Sequence, residues 1–147
     1  MKKLLLLPFI LFACKQDPNS YREPNALEST WKLLTGTIVE NGKTTITDYT
    51  HDQSFIKVIN KTHFAFLLHD LPIKKDSARL FSAGGGRYEL EGNEYTEHLD
   101  YCNDRAWEGH DFHFTIRISG DTLIQTGMEK VDRIERMNTE KYIRIKE

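Results

Sequence analysis

Glu97 lies in the run Glu94-Tyr95-Thr96-Glu97-His98-Leu99-Asp100-Tyr101, where Tyr95, Leu99 and Tyr101 share one parity and Glu94, Thr96, His98 and Asp100 the other. This is the period of a pleated strand with two unlike faces, and the face that buries the tyrosines and Leu99 turns Glu97 inward with them. An ionised carboxylate buried without partners is very costly, so Glu97 must pair, collect hydrogen bonds or stay protonated. Gln125, Tyr88, Tyr95, Tyr101 and Arg144 are the candidate partners. Three chemistries are open to such a group. It can belong to an internal network that fixes strand register, anchor the hydroxyl, amide or amine of a ligand, or serve as a general acid or base. The expected ligand-binding set is Phe66, Tyr88, Tyr95, Glu97, Tyr101, Phe114 and Gln125.

Other reactive residue types point less far. The histidines are His51, His63, His69, His98, His110 and His113. Only His110 and His113 are close in sequence, and on a strand their spacing puts them on opposite faces, so no metal site is expected. Gly84-Gly85-Gly86 precedes a strand pattern rather than a helix, which rules out a phosphate loop and points to a bend, a bulge or a close approach. Tyr142 and Arg144 share a face and could clamp a carboxylate. No Ser-His-Asp or Cys-His spacing stands out, so no catalytic residue and no cofactor are assigned.

The elements that would position these residues are short alternating runs separated by turn formers, with no competing helical repeat. Ser29 to Leu34 leads to Thr37 to Val39, and Asn41-Gly42 supplies a tight hairpin into Thr44 to Ile46. Ser54 to Ile59 and His63 to His69 flank Asn60-Lys61-Thr62. Leu71 to Ala78 reads as a loop. A glycine-led strand then turns at Glu91-Gly92-Asn93 into the strand of Glu97. Cys102 to Gly109 reads as a loop, and Phe112, Phe114, Ile116 and Ile118 mark the clearest amphipathic strand. It turns at Ser119-Gly120-Asp121 into Thr122 to Met128. Glu129 to Asn138 is too charged to separate loop from strand or helix, and Lys141 to Lys146 reads as a closing strand. The sum is an all-β chain of about 8 to 10 strands joined mostly as hairpins, the pattern of an up-and-down antiparallel β-barrel, with a sandwich as the alternative. With 147 residues, 39% hydrophobic and 29% charged, the chain has room for one domain with a real core. A formal charge of -2 argues against a nucleic-acid surface.

Ahead of the barrel, Met1-Lys2-Lys3 and the apolar run Leu4 to Phe12 form an export signal too short to span a membrane. It ends Leu11-Phe12-Ala13-Cys14, which resembles the lipobox of bacterial lipoproteins. That resemblance implies cleavage before Cys14 and lipid (palmitate among its acyl chains) on its thiol. Lys15 in the next position is similar to lipoproteins sent to an outer membrane, on its periplasmic or surface face. Residues 15–25 hold two prolines and many turn formers, the composition of a tether. The expected organisation is a signal peptide over 1–13, the lipidated cysteine and tether over 14–26, and the barrel over 27–147. With Cys14 lipidated, Cys102 is left as a free thiol.

Ser29-Thr30-Trp31-Lys32-Leu33, Thr62-His63-Phe64 and Ala83-Gly84-Gly85-Gly86-x-Tyr88-x-Leu90-x-Gly92-x-x-Tyr95-Thr96-Glu97 resemble the bacterial lipocalin-like lipoproteins of the Bacteroides group over nearly all of the chain after Leu27. The resemblance implies a calycin-type barrel and a small-molecule cup. It also implies a structural pair in which a first-strand tryptophan, here Trp31, packs against a last-strand basic residue, here Arg144. The expected partners are a small apolar or amphipathic ligand and a membrane reached through the anchor alone. The alternatives are a structural envelope lipoprotein with a filled barrel and a barrel enzyme using Glu97.

Overall fold

The computed structural model describes residues 25–71 and 79–146. Cys14, the signal peptide, most of the tether and most of the loop expected over 71–78 lie outside the described residues. Among the described residues nine strands form one antiparallel sheet. They are β1 (Ser29–Glu40), β2 (Lys43–Asp48), β3 (Gln53–Ile59), β4 (His63–Asp70), β5 (Phe81–Glu91), β6 (Glu94–Cys102), β7 (Asp111–Ser119), β8 (Thr122–Val131) and β9 (Ile134–Arg144).

β1 closes the sheet. Trp31 to Val39 pairs with β9 along one edge, while the other edge is shared, Ser29 to Lys32 with β3 and Thr35 to Glu40 with β2. The result is the expected up-and-down barrel of eight strands, with β2 as a ninth laid beside the upper half of β1. Closure pairs β1 with β9, the two strands that an open sheet of these eight would leave as edges.

The turns follow local chemistry. Asn41 (φ 50°) and Gly42 (φ 75°) take the left-handed conformations of a tight hairpin, as the Asn-Gly pair predicts. The ambiguous stretch Glu129 to Asn138 proves to be the β8–β9 hairpin, turning on Asp132 (φ 52°) and Arg133, and the closing strand runs over Ile134–Arg144 rather than Lys141 to Lys146.

Two irregularities decide which side chains enter the barrel. In β1 the register with β9 shifts between Leu33 and Thr35. Trp31 and Leu33 are buried on the odd parity below the shift, and Gly36 and Ile38 take over above it. In β6 the register with β5 shifts opposite Gly86, so that Leu99 and Asp100 occupy the space of one residue. Such a bulge exchanges the two faces of the strand beyond it. Tyr95, Glu97 and Leu99 are therefore buried as expected, but Tyr101 is 70% exposed, and Cys102 faces inward in its place. The inward assignment of Tyr101 is corrected on this ground. Gly86 makes the bulge possible, since a Cβ there would collide with the His98 carbonyl and the Asp100 amide. On the outside, Asp100 accepts from the Arg87 backbone N–H (3.2 Å) and from its Nε (3.0 Å), replacing regular ladder contacts.

One end of the barrel is filled. Leu27, Trp31, Ile59, Phe64, Tyr95, Leu123 and Tyr142 are nearly or fully buried there. Each such side chain contributes about 1.5–3 kcal/mol of apolar burial. The Arg144 guanidinium lies 4.2 Å over the Trp31 ring and donates to the Ala26 carbonyl (2.6 Å), while Trp31 Nε1 donates to the Leu27 carbonyl (2.9 Å). These contacts fasten the segment before β1 across the closed end.

Candidate functional site

The opposite end holds a cavity of about 330 Å³. Its walls combine aromatic rings with buried polar groups. Phe55 and Phe66 stack in parallel (centroids 5.7 Å apart) on one side. Phe112 and Phe114 face them from β7, and Trp107, from the loop after β6, stacks on Phe112 at 5.6 Å and covers the rim. The Arg136 guanidinium sits 4.8 Å from the other partner of that stack, the Trp107 ring, and so ties the loop to β9.

Glu97 pairs with Lys57, a partner not expected from sequence, and of the expected partners Tyr95 interacts with it directly while Gln125 shares the same lysine. Lys57, 2% exposed, reaches across from β3 and donates to Glu97 Oε1 (2.7 Å) and to Gln125 Oε1 (3.1 Å). Burial alone would lower the Lys57 pKa, but the charges of Glu97 and Glu140 and the bond to Glu97 outweigh it and hold the ammonium above its usual value. Lys57 was missed because Phe55-Ile56-Lys57-Val58-Ile59 is apolar on both parities. The signal was available in Phe55 and Ile59, which share its parity.

An ammonium only donates, so the amide of Gln125 must turn its oxygen toward Lys57 and its NH₂ the other way. That NH₂ is left without a partner although Gln125 is 1% exposed and lines the cavity. A buried unpaired donor costs about 1–3 kcal/mol. The Tyr95 hydroxyl is the other buried group without a completed hydrogen bond among the described residues. Burial first, and then the nearby Glu97 charge, raise its pKa well above the tyrosine range.

A second polar cluster lies nearer the mouth. Glu129 accepts from Arg136 Nε (2.6 Å) and from Asn138 Nδ2 (2.7 Å). Burial raises its carboxyl pKa in spite of these two partners. Glu140 accepts from the Tyr142 hydroxyl (2.8 Å) and lies 4.0 Å from the Lys57 ammonium, which is already engaged by Glu97. The interior is thus more polar than an apolar cup. Sequence reasoning does not reach Glu129, Arg136, Asn138 and Glu140, because the charge spread along their hairpin hides its strand period.

Of the expected ligand-binding set, Phe66, Glu97, Phe114 and Gln125 line the cavity together. Tyr88 and Tyr95 pack against each other (centroids 5.3 Å apart) toward the closed end, and the Tyr88 hydroxyl donates to the Asn60 carbonyl (2.8 Å). Tyr101 is outside. His98 pairs with Asp111 (2.7 Å) on the outer wall, His113 meets Thr96 there, and His110 stacks on Phe112, so the histidines do not converge. Tyr142 is held by Glu140 and Arg144 by Trp31, which leaves no carboxylate clamp between them. No family model matches the chain, and no curated protein matches it either.

Proposed function

We propose that this chain is a lipocalin-like lipoprotein whose barrel binds a small amphipathic molecule at its open end. The observation that carries the reading is the aromatic-walled cavity of about 330 Å³ with a few fixed polar groups in it. Small-molecule sites are concave, largely apolar and about 300–1,000 Å³, with polar groups placed to orient the ligand. The filled-barrel alternative describes only the end around Trp31. Anchorage through Cys14 belongs to the same proposal, as does a place at the bacterial outer membrane. Several acyl chains, at about 0.8 kcal/mol per buried methylene, would make that attachment lasting.

The test uses N-phenyl-1-naphthylamine, a neutral aromatic probe, with the purified chain and with Ser82→Trp, which places an indole on the cavity wall. Saturable fluorescence enhancement with the wild-type chain, lost in the variant while its melting temperature is retained, is the expected result. No saturable enhancement, or enhancement undiminished by the blocking residue, would exclude the cavity as a binding site.

A further inference from the structure

We infer that the cavity selects small organic cations that also carry an oxygen acceptor, such as an aromatic amino alcohol. The inference rests on the binding role proposed above and narrows it to a chemical class. Two independent observations meet here.

The first is charge. Glu97, Glu129, Glu140 and, at the rim, Asp104 line the cavity against Lys57 and Arg136, a formal excess of two negative charges. The cations are already used, Lys57 by Glu97 at 2.7 Å and Arg136 by Glu129 at 2.6 Å. Of the three glutamates, Glu140 is left with the weakest compensation, since its nearest ammonium is 4.0 Å away and its other contact is a neutral hydroxyl. A ligand carboxylate or phosphate would enter a field of its own sign in a low-dielectric site. An ammonium would find an under-compensated partner there, and aromatic rings that favour a cation at Phe55 and Phe66.

The second is the unpaired amide of Gln125. Its NH₂ is buried, is turned away from Lys57 and has no partner, and Gln125 lines the same cavity. It donates only, so the ligand atom that satisfies it is an acceptor such as a hydroxyl or carbonyl oxygen. The occupant that answers both demands has an ammonium for Glu140, an oxygen for Gln125 and an apolar body for the aromatic walls.

Isothermal titration of the full chain with four probes of similar size reads this directly. The probes are phenylalaninol (ammonium and hydroxyl), 3-phenylpropylamine (ammonium alone), 3-phenylpropan-1-ol (hydroxyl alone) and 3-phenylpropanoate (anion). Phenylalaninol should bind tightest, each single-function probe roughly tenfold more weakly, and the anion weakest of all. Glu140→Gln should lower phenylalaninol affinity roughly tenfold and leave 3-phenylpropan-1-ol unchanged. Binding of the anion as tight as that of the amines would overturn the inference, as would equal binding of all four, while leaving the cavity a binding site. Absence of saturable binding by any probe would overturn both. The wild-type ranking needs no variant, so the inference stays open to refutation even if Glu140→Gln does not fold.

Discussion

Lys57 and Glu97 join β3 to β6 through the barrel interior, and each is nearly inaccessible to water. Removing one partner strands the other charge, whereas removing both takes the pair out together, so the two changes should differ sharply. Lys57→Met is expected to cost about 3–5 kcal/mol of stability, and Lys57→Met with Glu97→Leu to recover most of it. Denaturant unfolding of the four corners of this cycle measures the difference, and a double variant as unstable as the single one would refute the pairing. Glu129 makes an opposite kind of prediction, in pH. Its carboxyl is raised by burial above the ordinary 4.5, so the folded chain holds the proton more tightly than the unfolded chain does. Its contribution to stability is then fully present below pH 4.5 and is lost as pH rises through the raised value. Glu129→Gln keeps an acceptor for Arg136 and Asn138 but cannot ionise. Its melting temperature should therefore fall less than that of the wild-type chain between acid and neutral pH. A scanning-calorimetry series showing equal falls would remove Glu129 from the account.

At the level of strands, most of the wall was legible. Asn41-Gly42, Gly92-Asn93 and Gly120-Asp121 announce their hairpins because they hold residues that accept left-handed backbone. The β8–β9 hairpin carries no such signal, since Asp132 supplies the positive φ without glycine. Its inner face holds Glu129, Arg136, Asn138 and Glu140, which inverts the rule that polar residues mark the outside. The candidate site was legible only in part for a related reason. Parity gives Glu97, Phe114 and Gln125 correctly, but parity holds only along unbroken pairing, and the Leu99–Asp100 bulge breaks it before Tyr101. Nothing in the local sequence marks a bulge except Gly86 on the neighbouring strand, whose role is visible only once β5 and β6 are paired.

The molecule as a whole divides its labour lengthwise, with close packing around Trp31 and Tyr142 at one end and the cavity with its polar groups at the other. Buried carboxylates can therefore be kept around the cavity without loosening the core that holds the wall. The way the wall is closed has a bearing on time as well as on stability. Every pairing except two joins neighbouring hairpin strands, but the β1–β9 seam brings Trp31 against Arg144, from opposite ends of the described chain. Contacts between distant segments bear the full entropy of loop closure and form slowly. The seam should accordingly be unmade at the folding transition state, after the local hairpins have assembled. Leu33→Ala, which thins the buried side of β1 at that seam, is expected to speed unfolding in stopped-flow chevrons while leaving the refolding rate close to that of the wild-type chain. A refolding limb slowed by the whole loss of stability would mean instead that the barrel closes first and its hairpins settle afterwards.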